Sequence, residues 1–313
     1  MKTTKPLVSV CCITYNHVNF IRSAIEGFLM QKTTFPIEII IHDDASTDGT
    51  AEIVRSYAAK YPDLIFPICQ TDNQLSKGIK ISATYVWPKA RGKYIALCEG
   101  DDYWIDPYKL QKQVDFLENN SEFYLAAGKT FKKKGNIFSQ LHKKRWNKFR
   151  TEYSVKDYIL NGTFFHTSTI CSRNHNKWNT VPPNEVISGD VYFVLFQSIP
   201  GCEKIKLFDD YFSVYRDHPG GIMKSDRFKD KNRGIKSFIS ISENFNSYND
   251  NKYVAYTNYK IKEREVSKKI SQASRWEEKA KIALRNIKIA SIILVRKFTG
   301  FYFVNDLTLK FLS

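Results

Sequence analysis

Over its first 127 residues the chain switches repeatedly between two hydrophobic periods, and this alternation limits the fold more than any other feature. Leu7-Val8-Ser9-Val10-Cys11-Cys12-Ile13 is a short β-rich run, after which Phe20, Ile21, Ala24, Ile25, Phe28 and Leu29 recur at helical spacing. Ile37-Glu38-Ile39-Ile40-Ile41 forms a second strand that ends at His42-Asp43-Asp44. Ser46-Thr47-Asp48 then supplies turn and cap chemistry for a helix carrying Ile53, Val54, Tyr57 and Ala58. Leu64-Ile65-Phe66 reads as a third strand and residues 77–90 as partly helical. Tyr94-Ile95-Ala96-Leu97-Cys98 is a fourth strand, running into Glu99-Gly100-Asp101-Asp102. The switch recurs at roughly 30-residue intervals, which predicts βαβ units and a mainly parallel Rossmann-type α/β sheet flanked by helices.

From about residue 128 the texture changes. Residues 129–150 carry nine Lys/Arg and no acidic residue, as expected of an exposed loop or hairpin. Residues 164–171 and 207–215 read as strands, and Val191 to Phe196 as a buried helix or strand. From about Lys260 the chain is helical in character, with twelve Lys/Arg against four Glu over residues 260–297. Hydrophobic residues make up 42% and charged residues 26%, which excludes disorder as the main state. The formal charge is +16, which favours a polyanionic partner or surface. The N-terminus lacks a secretory pattern and no apolar stretch is long enough to cross a bilayer. The six cysteines lack paired metal-ligand spacing and read as reduced core residues, so a cytoplasmic location is expected.

Glu99-Gly100-Asp101-Asp102 carries the most chemistry. Three carboxylates at the carboxyl end of a parallel strand repel one another unless a hard cation such as Mg²⁺ or Mn²⁺ joins them. Ligands in open α/β sheets bind at that edge. The competing reading is a solvated acidic turn before the next helix, and from the tetrapeptide alone the two are near even. Asp43-Asp44 ends the second strand on the same edge, where a carboxylate can accept from a ribose hydroxyl or a base N–H. Taken alone, an Asx-turn and helix cap explains that pair better. No Gly-x-Gly-x-x-Gly follows the first strand and no Walker lysine loop is present, so neither hydride transfer nor P-loop chemistry is supported.

Three blocks in order resemble the signatures of glycosyltransferase family 2, whose members are inverting enzymes with the GT-A fold. They are Val8-Ser-Val-Cys-Cys-Ile-Thr-Tyr-Asn16, Ile39-Ile-Ile-His-Asp-Asp-Ala-Ser-Thr-Asp-Gly-Thr50 and Gly92-Lys-Tyr-Ile-Ala-Leu-Cys-Glu-Gly-Asp-Asp-Tyr-Trp104. The resemblance implies that Thr14, Tyr15 and Asp43 contact the base and ribose of a nucleotide-sugar, with Asn16 and Asp44 beside them as candidate contacts. It implies that Asp101 lies against the nucleotide and that Asp102 binds the metal, with Glu99 at the first position of the family's Asp-x-Asp pattern. Asp190, before the apolar run Val191 to Phe196, matches the family's general base, with Glu185 in reserve. Taken alone, Asp190 would read as a helix N-cap. His218, in Tyr215-Arg-Asp-His-Pro-Gly-Gly221, resembles the late histidine that reaches the metal or diphosphate. A structural histidine is an equal alternative.

The resemblance thus implies a metal-dependent glycosyltransferase using Mn²⁺ or Mg²⁺ and a nucleotide-diphosphate sugar, with UDP the expected nucleotide. The acceptor would be a glycan or a lipid-linked saccharide of bacterial surface polysaccharide synthesis. A GT-A-like catalytic domain is expected over residues 1–221, with a nucleotide-sugar half at about 1–127 and an acceptor half at about 128–221. A basic, largely helical C-terminal region would follow over 222–313. Its mixture of Lys/Arg with Ile282, Ile289, Ile292, Ile293, Phe298, Phe301, Tyr302 and Phe303 fits peripheral contact with an anionic membrane or packing on the domain. A sugar nucleotidyltransferase is the rival enzyme, but it would carry a Gly-rich basic loop where Thr14-Tyr15-Asn16-His17 stands. A nucleic-acid-binding protein explains the charge and leaves the acidic strand ends unexplained, so no nucleic acid is expected. Asp209-Asp210 reads as a solvated turn, and His166, Cys171 and His175 lack a second ligand pair for zinc.

Overall fold

The computed structural model describes residues 5–141, 150–175, 181–224, 230–287, 289–290 and 293. The chain divides into two compact units. The first comprises Met1–Leu141, Phe165–Asn184 and Gly189–Pro219; the second comprises His142–Phe164, Glu185–Ser188 and Gly220–Ser313.

The first unit is built on β1 (Val8–Thr14), β2 (Ile37–Asp43), β3 (Ile65–Cys69), β4 (Tyr94–Leu97), β5 (Tyr103–Trp104), β6 (Phe123–Lys134), β7 (Ile137–Gln140), β9 (Cys171–Arg173) and β10 (Lys204–Arg216). The label β8 belongs to a short strand, Glu152–Ser154, in the second unit. The sheet runs β3-β2-β1-β4-β9-β6-β10-β5. Its first four strands are parallel, whereas β9 lies antiparallel between β4 and β6, and β5 pairs antiparallel with β10. The sheet is therefore mixed, not mainly parallel throughout. Strands of two or three residues are too short to show a period, so β5 and β9 escaped the pattern.

Helices α1 (Ile21–Leu29), α2 (Thr50–Lys60) and α3 (Lys109–Asn119) connect the early strands. The i, i+3, i+4, i+7 spacing of Ile21, Ala24, Ile25 and Phe28 gives α1 one apolar face. It packs with Val8, Val10, Ile39, Ile41, Tyr94 and Ala96 of the strands and with Leu110, Val114 and Leu117 of α3. A fully buried side chain such as Phe28 contributes about 1.5–3 kcal/mol through removal from water. At Gly27 a Cβ would stand 3.0 Å from the Trp104 backbone nitrogen, so α1 approaches β5 as only glycine permits. Residues 77–90 form two short helical turns, Ser82–Val86 and Trp87–Lys89. Residues 164–171 are not one strand, since a helical turn at Thr167–Thr169 precedes β9. The apolar run after Asp190 is a helix, α5 (Gly189–Phe196), and Asp209 and Asp210 lie within β10 rather than in a turn. The six cysteines are free; five are buried and Cys69 is half-buried.

The second unit contains α4 (Val155–Asn161), α6 (Lys231–Tyr248), α7 (Val254–Gln272) and α8 (Trp276–Arg285). Ser154 and Asp157 form a reciprocal capping box at the start of α4. Leu160, Tyr259, Val266 and Ile289 make the core, with Ile282 and Ile293 packed against it. Lys260 Nζ donates to Leu160 O at 2.8 Å and to Glu263 Oε2 at 2.9 Å, which satisfies a buried ammonium. No helix among the described residues is long and apolar enough to cross a membrane. Phe298, Phe301, Tyr302 and Phe303 lie outside the described residues.

Candidate active site

Parallel pairing brings the carboxyl ends of β1, β2 and β4 to one edge, with Thr14 opposite Asp43 in register. Two loops clasp each other there. Asn16, at φ 53°, donates its backbone N–H to Ser46 Oγ at 2.8 Å, and its side-chain oxygen accepts from Thr47 N at 2.9 Å. Val18 N donates to Asp48 Oδ2 at 3.0 Å. Asp43 accepts from Ser46 N at 3.0 Å and from Ser46 Oγ at 2.5 Å, and Asp44 accepts from Gln74 N at 2.8 Å and Leu75 N at 3.1 Å. Both aspartates are buried. Each carboxylate already has the donors that a buried charge needs. Tyr15 is 43% exposed at the same edge, while Thr14 is buried with its Oγ1 unpartnered. A Cβ on Gly100 would come 2.7 Å from that oxygen, so glycine is what lets the β4 loop close on β1.

The loop after β4 is different. Glu99 Oε2 is buried without a hydrogen-bond partner. Burial first, then the charges of Asp101 and Asp190, push the Glu99 carboxyl up to about 8. Asp101 turns its Oδ2 to His218 Nε2 at 3.0 Å and to His17 Nε2 at 3.8 Å. One ligand atom from each of His17, Asp101 and His218 lies within 4.8 Å of the others, as a shared cation requires. Burial lowers the His17 pKa although Asp101 opposes it, so the imidazole is neutral and its lone pair is free to bind a metal. Phe20 packs against the His218 ring at 4.6 Å between centroids.

Asp102 faces elsewhere. Its Oδ1 accepts from Arg216 N at 3.0 Å and its Oδ2 lies 3.5 Å from His166 Nδ1. It is 2% exposed, and burial followed by the charges of Asp101 and Glu99 raises its pKa well above the usual range. Arg216 Nη1 donates to Asp101 O at 2.8 Å, which ties the end of β10 to this loop. The adjacent aspartates thus part company, Asp101 meeting the histidines and Asp102 anchoring β10. His17 was not singled out from the sequence, although it follows Tyr15-Asn16 directly. Its place on the edge occupied by residues 99–102 was the available signal.

Asp190 lies in the first turn of α5 and is half-buried, and burial raises its pKa. Its charge contributes to the rise at Glu99, so the two carboxylates share one electrostatic environment. Glu185 is exposed and belongs to the second unit.

A family model described as glycosyl transferase family 2 matches residues 9–177. The chain belongs to this family. An uncharacterised protein of Mycobacterium tuberculosis is 37% identical over 220 residues, covering 70% of this chain and 61% of that protein. The chain therefore spans about three-fifths of that relative's length. WfaP of Escherichia coli, a UDP-Glc:alpha-D-GlcNAc-diphosphoundecaprenol beta-1,3-glucosyltransferase, is 36% identical over 118 residues, 38% of this chain and 44% of WfaP. Among solved structures, S. aureus TarS 1-349 in complex with UDP-GlcNAc aligns at a TM-score of 0.64 and 18% identity, covering 92% of this chain and 82% of that one. The mannosyltransferase PcManGT from Pyrobaculum calidifontis, in complex with GDP-Man and Mn²⁺, aligns at 0.57 and 16% identity, covering 98% and 86%. This family 2 chain accordingly has the GT-A fold, a mixed α/β sheet flanked by helices.

Proposed function

We propose that the protein is an inverting glycosyltransferase that moves a sugar from a UDP-linked donor to a hydroxyl of a glycan or lipid-linked acceptor. The observation that carries this reading is the grouping of His17, Asp101 and His218 beside the buried, unpartnered Oε2 of Glu99, at the strand edge where α/β sheets bind nucleotides. Thr14, Tyr15, Asn16 and Asp43 belong to the loops at this edge and would flank the base and ribose, with Asp44 acting by holding residues 74 and 75.

Two imidazoles and a carboxylate suit Mn²⁺ better than Mg²⁺, which prefers oxygen ligands. His17, Asp101 and His218 would hold the ion, with Glu99 and Asp102 as nearby carboxylates. The metal would supply positive charge to the departing diphosphate. The chain's own residues do the rest. Asp190, made more basic by burial, takes the acceptor hydroxyl's proton as that oxygen bonds to the anomeric carbon and the bond to the diphosphate breaks. Attack opposite the leaving group inverts the anomeric configuration. The names of WfaP and TarS's ligand support UDP as the nucleotide, and WfaP's supports a diphosphate-lipid acceptor in polysaccharide synthesis. Peripheral membrane contact would bring the enzyme to such an acceptor.

The test is transfer from UDP-glucose and UDP-GlcNAc to a saccharide–diphosphate–lipid acceptor in the presence of Mn²⁺, followed by the anomeric configuration of the product. A β-linked product from an α-linked donor is expected. Asp190→Asn should lower turnover about 10²–10⁴-fold while leaving UDP-sugar binding intact. Retained configuration, or near-normal turnover by the variant, would refute the assignment.

A further inference from the structure

The hairpin of β6 and β7 leaves the first unit beside the candidate active site. Lys134 pairs with Ile137 across the turn Gly135-Asn136, with Gly135 at φ 58° as a tight hairpin turn requires. One residue in from the turn Lys133 stands opposite Arg216, and Asp217 N donates to Lys133 O at 2.8 Å. His218 follows immediately. Two strand spacings separate β10 from β7, which puts Ile137 roughly 10 Å from the segment that presents His218. The stem is stiffened by Phe131, whose ring stacks on Tyr211 at 3.9 Å.

The tip combines apolar exposure with uncompensated charge. Ile137 is 74% exposed and Phe138 51%. Lys129 and Lys132 are paired with Asp209 and Asp217, but Lys133 and Lys134 meet no carboxylate among the described residues. Lys133 Nζ lies 5.4 Å from the centroid of the Phe138 ring, so charge and apolar surface share one small patch. A bilayer interface accepts both features at once, burying the apolar side chains while its anionic headgroups meet the lysines.

We infer that the Lys133–Phe138 tip inserts into the surface of an anionic lipid bilayer and holds the active-site edge against the membrane. The inference rests on the proposed lipid-linked acceptor, whose reacting hydroxyl would be presented at that surface. Two lysines give about fivefold each in partition, and the apolar pair adds tenfold or more.

The test is co-sedimentation of the full chain with vesicles of phosphatidylglycerol and phosphatidylethanolamine, and with phosphatidylcholine vesicles, at low salt. Binding to the anionic vesicles is expected. Ile137→Ser with Phe138→Ser should reduce it at least tenfold, and Lys134→Glu, in the exposed turn, about fivefold or more, with UDP-sugar binding unchanged in both. Equal partition of wild type and variants, or no retention of wild type on anionic vesicles, would overturn the inference. So would unchanged vesicle binding together with a raised KM for a short lipid-free acceptor, which would make the tip a glycan contact. Failure of the wild type to bind any UDP-sugar would refute the UDP-donor reading separately, leaving vesicle partition to judge the hairpin.

Discussion

Asp43-Asp44 after β2 and Glu99-Gly100-Asp101-Asp102 after β4 occupy the same edge of one sheet, but their carboxylates meet opposite fates. In the first pair, each buried carboxylate accepts two hydrogen bonds, Asp43 from Ser46 and Asp44 from the backbone after β3. In the second group, Glu99 has an orphaned oxygen, Asp101 faces two histidines, and burial with the nearby Asp101 charge raises the Glu99 and Asp102 carboxyls. A finished network of donors is architecture. Carboxyls crowded together without donors, beside histidine nitrogens, are a site that a cation would relieve.

Asp44→Ala removes the acceptor of two backbone N–H groups and should destabilise the protein by about 3 kcal/mol in urea unfolding. Asp101→Asn, by contrast, relieves repulsion and should leave metal-free stability equal or higher. If both substitutions destabilise alike, the contrast between the two strand ends is wrong.

A titration sharpens it. The Glu99 carboxyl sits at about 8 in the folded protein, above the roughly 4.3 of an unfolded chain. A group whose folded pKa is raised adds stability that is complete below the unfolded value and lost as pH rises through the folded one. With chelator present, the melting temperature should therefore fall by about a few degrees between pH 5 and 8. Glu99→Gln should flatten that fall. An equal slope in the variant would place the titrating group elsewhere. The smallest effect belongs to Asp210, whose 2.6 Å pair with Lys112 is substantially exposed on both sides. Asp210→Ala should cost about 0.5 kcal/mol and leave turnover unchanged.

Much of the fold was legible because β1, β2 and α1 repeat their periods over seven or more residues and the four residues of β4 are all apolar and buried. The antiparallel β5 and β9 were not, since two or three residues carry no period and their pairing is decided by distant partners. Asp209 and Asp210 looked like a turn because an acidic pair is polar. In β10 the two carboxylates find Lys129 and Lys112 across the fold, a rescue no local pattern shows. Lys109 is another such case, a fully buried lysine whose ammonium lies over the Trp104 ring and bonds Gln113. At the site, the resemblance gives the metal to Asp102 and the nucleotide to Asp101, whereas the geometry sets Asp101 against the two histidines and Asp102 against Arg216. Only the return of β10, bringing Arg216 to Asp102 and His218 to Asp101, separates them.

The most direct test of that separation is calorimetric titration of UDP into the full chain with and without Mn²⁺, comparing wild type with Asp101→Asn, His218→Ala and Asp44→Asn. The account predicts that Mn²⁺ strengthens UDP binding in wild type and in Asp44→Asn, and that Asp101→Asn and His218→Ala bind UDP equally with or without the ion. Mn²⁺ enhancement that survives both substitutions at the Asp101–His218 pair would contradict it.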